Sequence, residues 1–146
     1  MRTRTSASAL QIRRDQSLRG LGSRIYGARS TSGGCEAFLE FRFDERPVDK
    51  TRRPKLPRAW RFDLAVPECR VWQKLHPHMS TETIKLAIEV DGYGAGHQSS
   101  KSMREDLEKY VEAFAQGWVV MRVSWKQVMD GTVDDALRRR GVRVGR

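Results

Sequence analysis

No stretch of about 18 apolar residues occurs in the sequence. The longest uncharged apolar run, around Trp118, is far shorter, and no apolar segment follows the basic N-terminus. A membrane span and a secretory signal are therefore not expected, and the expected location is cytoplasmic. Cysteine is scarce: Cys35 and Cys69 are too few and too far apart in sequence for a thiolate metal site, so reduced thiols are expected and redox chemistry is not. Aromatic residues make up 8% of the 146 positions, and that length leaves room for one domain of ordinary size. Glutamate is absent from residues 1–30.

Positive charge is abundant but uneven. Of the formal net charge of +10, residues 1–30 carry seven Arg against Asp15 (+6), and residues 138–146 carry five Arg and no acid (+5), so residues 31–137 sum to −1. Within that body, residues 46–61 hold seven Lys or Arg against Asp49 (+6), which leaves the rest at −7. A basic stripe beside a group of carboxylates fits a protein that grips polyphosphate and reserves acids for a divalent cation. Solubility charge with disordered tails explains the ends well and the middle poorly.

Residues 1–34 are rich in Arg, Ser, Thr and Gly, with Leu10, Ile12, Leu18, Leu21 and Ile25 supporting at most a short weak helix. The expected organisation is a basic, largely mobile arm over 1–34, one folded domain over 35–140 and a basic tail over 141–146. Alternation from Ala37 to Asp44 predicts a strand, with a short helix after Gly33-Gly34 as the other reading. Pro47, Pro54 and Pro57 enclose a basic loop, and Trp60 to Val66 reads as a second strand ended by Pro67. Residues 68–82 read as a connection, Thr83 to Val90 as a third strand, and Asp91 to Gly96 as a turn. Ser99 or Ser100 can cap a helix that runs to about Gln116, with Met103, Leu107, Tyr110, Val111 and Phe114 as a stripe for the core. Trp118 to Trp125 predicts a fourth strand, and Thr132 can cap a last helix over 133–140. The fold class is α/β, a central mixed four-stranded sheet flanked by helices, with the crossover helix setting the third and fourth strands parallel.

Three acids stand at informative places. Glu89 and Asp91 are two apart on one strand and share a face, and Asp63 on the neighbouring strand can face the same point. Three converging carboxylates require a cation between them, and their oxygens suit Mg²⁺, with Mn²⁺ able to substitute. The alternative is that these acids face solvent or pair with Arg61 and Lys85.

The succession Glu40-Phe41-Arg42-Phe43, a basic Pro-containing loop, Trp60-Arg61-Phe62-Asp63-Leu64-Ala65-Val66-Pro67, Leu86-Ala87-Ile88-Glu89-Val90-Asp91-Gly92, Gly96-His97, Asp106-Leu107-Glu108-Lys109-Tyr110 and Gly117-Trp118-Val119-Val120-Met121-Arg122 resembles the small phage and prophage endonucleases of the PD-(D/E)xK superfamily. The resemblance covers residues 38 to about 131. It implies the restriction-endonuclease-like fold over 35–140, shared with Holliday junction resolvases and very-short-patch repair endonucleases, in a bacterial or phage-infected cell. By that resemblance Asp63 is the metal-binding aspartate, Glu89 the acid of the (D/E)xK element, and the Val90 carbonyl a third ligand. Position 91, where the family has Lys, is Asp, so the positive group must come from Lys109 on the helix or from His97 or Lys101 near the turn. Lys109 and Asp106 lie on one flank of the helix, off the apolar stripe. The upstream helix of the family often supplies a glutamate, and here Glu36 and Glu40 are the available substitutes.

The implied activity is Mg²⁺-dependent hydrolysis of DNA phosphodiester bonds, structure-selective or weakly sequence-specific, with catalytic Asp63, Glu89, Asp91, Lys109 and His97. Lys50, Arg52, Arg53, Lys55, Arg58 and Lys101 would hold flanking phosphates. The alternative is a catalytically weak DNA-binding module on the same fold. Expected partners are DNA, no membrane, and a second copy of the chain if the substrate is a four-way junction. His76-Pro77-His78 lacks a third ligand for zinc and reads as an exposed loop. Trp60, Trp118 and Trp125 read as packing beside the sheet, with Trp72 the one candidate for base stacking. Gly92, Gly94 and Gly96 do not follow GxGxxG and read as a flexible turn.

Overall fold

A computed structural model describes residues 5–25, 36–43, 60–73, 80–91 and 100–145. Its elements are α1 (Thr5–Arg24), β1 (Phe38–Arg42), β2 (Arg61–Gln73), β3 (Ser80–Asp91), α2 (Ser100–Ala115), β4 (Trp118–Ser124), α3 (Trp125–Met129) and α4 (Thr132–Arg140). The four strands form one mixed sheet in the order β1-β2-β3-β4, with the first three antiparallel and β4 parallel to β3. The parallel pair follows from the crossover, since a strand that re-enters the sheet through a helix returns in its original direction.

The sheet separates two apolar clusters. One face packs Leu64, Val66, Leu86, Ile88 and Val123 against α1, α3 and α4 through Leu18, Leu21, Val128, Val133 and Leu137. The other gathers Phe43, Phe62, Ala65, Ala87 and Trp118 under Ala113 of α2. Trp60 packs beside this second cluster and Trp125 beside the first, as expected of them.

Residues 5–25 are not a mobile arm. Leu18, Leu21 and Ile25 fall on one helical stripe and are buried, so tertiary contact holds a helix whose sequence alone supports little. The tail reading is corrected with it for residues 141–145, Arg146 lying outside the described residues. Val142 bridges Val71, Val144 bridges Ile25, and the Gly145 N–H donates to the Arg24 carbonyl at 2.6 Å. Arg24 also binds Asp134 through two nitrogens at 3.1 and 3.3 Å. The two ends of the described chain thus clasp one another over the same core. Gly141, at φ +101°, lies so close to the Trp72 carbonyl that a Cβ there would collide with it.

Residues 68–73 and 80–82, read as part of a connection, belong to strands instead; 74–79 lie outside the described residues. β2 continues past Pro67 to Gln73 and β3 begins at Ser80, with Trp72↔Thr81 and Gln73↔Ser80 in register. The register shifts between Val66 and Cys69, so Pro67, which has no N–H, sits in the irregularity rather than breaking the ladder. Cys69 and Val71 then resume burial. At the other end of β4, Ser124 and Gln127 form a reciprocal capping box that begins α3 where the strand had been expected to run on to Trp125. Thr132 is the first residue of α4 rather than its cap, since its hydroxyl and N–H both bind Asp130.

The apolar stripe of α2 differs most from expectation. Leu107, Val111 and Phe114 point to solvent, while Lys109, Tyr110, Asp106 and Ala113 are half-buried or buried. On this face the sheet offers Lys85, Glu89, Asp91 and Arg122 around a small Ala87, so the helix sets its polar flank and its smallest apolar residue against it. No helix among the described residues is long and apolar enough to cross a membrane.

Candidate active site

The ends of β2 and β3 bring Asp63 and Glu89 together. The pairing Leu64↔Ile88 continues one step further to place these acids across from one another. The Val90 N–H donates to Asp63 Oδ2 at 2.7 Å, which fixes the aspartate against the β3 backbone. Asp63 also lies across from Glu40, between the paired Leu39↔Leu64 and Phe41↔Phe62. Glu40 has φ +50°, a left-handed conformation costly for a residue with a side chain. There the chain redirects: Leu39 packs on the α1 side, whereas Phe41 packs on the α2 side.

Lys109 reaches this point from α2. Its ammonium donates to Glu89 Oε1 at 2.5 Å, and each side chain is 13% exposed. The same ammonium lies 5.5 Å from the Phe62 ring and 5.8 Å from that of Tyr110, so the cation is boxed between aromatic surfaces and the carboxylate. Burial pushes the Glu89 carboxyl up to about 7. Lys109 works against this rise, and Asp63 and Asp106 reinforce it. Among the described residues, Lys109 therefore stands with three acids in a partly dehydrated place, an arrangement typical of functional sites. Burial likewise pushes the Tyr110 hydroxyl up to about 12, with the Glu89 charge adding to it.

Asp91 shares the face of Glu89 as its spacing requires, yet it does not join the pair. Arg122, from the β4 position in register with Glu89, donates to Asp91 Oδ1 at 2.7 Å. The two side chains are about half exposed, and the Arg122 guanidinium lies 5.1 Å from the Tyr110 ring. This hydrogen bond to Asp91 pushes the Arg122 pKa up. The expected convergence of three carboxylates is thus reduced to two, and among the described residues no three His, Cys, Asp or Glu side chains form a metal-holding group. Of the alternative, the solvent-facing part holds for Asp91, whose side chain is 57% exposed, whereas Lys85 donates to the Gln116 carbonyl.

The remaining donors still suit a hard cation. Asp63 and Glu89 supply anionic oxygens and Val90 a carbonyl, and a Mg²⁺ ion that keeps several waters needs no more from the protein. Burial is what chiefly lifts Glu89, with Asp63 and Asp106 adding to it, and a divalent ion bound there would favour the ionised carboxylate.

Lys101 lies in the first turn of α2, but its side chain is outside what the structure describes. His97, the basic loop with Lys50, Arg52, Arg53, Lys55 and Arg58, the His76-Pro77-His78 segment and the glycine turn 92–96 lie outside the described residues. The Arg143 guanidinium stacks over one face of the Trp72 ring at 3.9 Å. Sequence reasoning missed Tyr110, taken as core, and Arg122. The alternation of β4 was the available signal for Arg122, since it puts Trp118, Val120 and Arg122 on the α2 side. Searches against protein-family models, curated proteins and solved structures find no match for this chain.

Proposed function

We propose that the chain is a metal-dependent DNA endonuclease of the restriction-endonuclease-like fold, hydrolysing phosphodiester bonds with structure selectivity or weak sequence preference. The observation that carries the reading is the meeting of Asp63 and Glu89 with Lys109: two acids at adjacent strand ends, and a lysine delivered from the crossover helix in place of the one replaced by Asp91. Asp63, Glu89 and the Val90 carbonyl would hold Mg²⁺, or Mn²⁺ in its place. Bound there, the ion supplies a water of lowered pKa and neutralises phosphoryl charge. Lys109 presents its ammonium to the charge that develops on the phosphoryl oxygens, held in place by Phe62 and Tyr110 rather than by solvent. Tyr110 stays protonated through the working pH range and can donate from the edge of the site. The basic residues Lys50, Arg52, Arg53, Lys55 and Arg58 would grip flanking phosphates in a salt-dependent manner, as would Lys101.

A second reading, a DNA-binding module with little catalysis, is favoured by one observation: the direct Lys109–Glu89 ion pair neutralises Glu89 without any metal. Incubation of labelled duplex, flap and four-way-junction DNA with Mg²⁺, Mn²⁺ or EDTA separates the two. The nuclease reading requires metal-dependent cleavage that is lost in Asp63→Asn and Glu89→Gln. Salt-sensitive binding with no cleavage under either metal supports the module.

A further inference from the structure

The uncovered flank of α2 is apolar and ordered in its spacing. Leu107, Val111 and Phe114 are 66, 69 and 83% exposed, and they repeat at the i, i+4, i+7 spacing of a helix-packing seam. Their direction follows from the helix itself. At the α-helical turn per residue, Lys109, Ala113, Tyr110, Phe114, Leu107 and Val111 succeed one another around its circumference in that order. Lys109 meets Glu89 of β3, Ala113 packs in the cluster of Trp118, and Tyr110 meets Arg122 of β4. The next three residues in the same sense therefore lie beyond β4.

β4 is itself the outermost strand of the sheet among the described residues. Its sequence, Trp118-Val119-Val120-Met121-Arg122-Val123-Ser124, contains no Pro, no Lys and no Gly, and its one charged side chain is engaged by Asp91. Natural sheets blunt such edges with proline, lysine, bulges or a covering element, and none of the first three devices is present. Val119 is 46% exposed. Among the described residues, this side thus combines an unpaired strand edge with an apolar helix flank.

We propose that this side pairs with a second copy of the chain, β4 against β4 antiparallel across a twofold axis perpendicular to the sheet, with α2 beside α2 on one face. A single operation satisfies both features, because an antiparallel strand edge and an apolar seam each complement themselves. Charge agrees. Lys101 and Arg104 stand in the first turns of α2, ahead of Glu105 and Asp106, and Glu108 and Glu112 follow. Antiparallel neighbours bring the basic start of one helix to the acidic half of the other and oppose their dipoles. A lone strand or a lone helix from another protein would fill half of the surface and leave the other half bare. The inference does not depend on the nuclease reading, and its test has no enzymatic readout.

The test is the mass of the full chain by light scattering from low to high micromolar concentration, together with amide exchange of β4. The expected result is a dimer whose β4 amides exchange more slowly as concentration rises. Phe114→Glu and Val119→Lys, both at exposed positions but on different elements, should each weaken association by at least about tenfold with the circular dichroism spectrum and melting transition kept. A monomer at every concentration overturns the proposal and leaves the face to another partner. A dimer that survives both substitutions overturns it too, and so does one that only one of them disturbs, since the paired edge and the helix seam must act together.

Discussion

The ammonium of Lys109 lies 2.5 Å from Glu89 Oε1 across the gap between α2 and β3, with both side chains largely withdrawn from water. Two withdrawn charges depend on one another: removing the lysine leaves a carboxylate in a dry place, and protonating the glutamate leaves an unpaired ammonium there. Lys109→Met should therefore destabilise the fold at about pH 8 and have little effect, or stabilise it, near pH 5, where Glu89 holds its proton in the folded state. Melting temperatures of the variant and parent across that range check this. An equal loss at both values would mean that the lysine contributes packing alone. In the nuclease assay at saturating Mg²⁺, the same substitution should cost about two or more orders of magnitude in rate, with Lys101→Met much less affected. If Lys109→Met cuts like the parent while His97→Ala is dead, histidine is the proton carrier instead.

Glu89 also predicts how stability varies with pH in the absence of metal. Its folded pKa of about 7 lies above the ordinary 4.5, so the folded state binds the proton more tightly than the unfolded state does. Its contribution is fully present below about pH 4.5 and is lost as pH rises through about 7, amounting to roughly 3 kcal/mol at full expression. Glu89→Gln, which cannot ionise, should flatten that slope between about pH 5 and 8 in EDTA. A parent whose stability instead rises steadily from pH 5 to 8 contradicts the buried environment of this carboxyl.

Mg²⁺ should reverse the loss. An ion that binds the folded state alone stabilises in proportion to the logarithm of its concentration, and above about pH 7 it meets no competing proton on Glu89. Melting temperature should thus rise with Mg²⁺ at pH 8 and barely respond at pH 5, and neither Asp63→Asn nor Glu89→Gln should respond at pH 8. A uniform rise in all three proteins would indicate general salt screening.

The sheet was legible from sequence because alternation and proline punctuation mark strands directly, and the Thr83–Val90 strand, the helix from Ser100 and the Trp118 strand form the crossover that their spacing predicts. The geometry between Lys109 and Glu89 was legible for a related reason: a helical flank and a strand parity are both fixed by period. What pattern does not contain is the identity of the neighbour. Nothing local says that Arg122 would draw Asp91 away from Asp63. Nor does it say that a charged sheet face would turn the apolar stripe of α2 outward. The first 25 residues misled in the same way, since their Arg, Ser and Gly content masks a three-residue stripe whose value lies in what it touches.

That stripe supplies the last prediction. Leu21 is completely buried and packs, with Leu18 and Ile25, into the cluster that includes Leu64, Ile88 and Leu137. Leu21→Ala would leave a cavity that the sheet beneath cannot close, at a cost of about 2–5 kcal/mol. Arg19, exposed on the same helix and without a part in that core, serves as the control: Arg19→Ala should change stability by no more than about 0.5 kcal/mol. Because Ile25 bridges Val144 and Arg24 holds Asp134, removal of residues 1–24 should also loosen the C-terminal end, seen as faster amide exchange at Val142 and Val144. DNA affinity of the truncated chain will then fall for two reasons, lost arginine charge and lost fold. Leu21→Ala keeps every charge, so comparing its binding with that of the truncation separates them. A melting transition unmoved by Leu21→Ala would return these residues to the status of a detached basic arm.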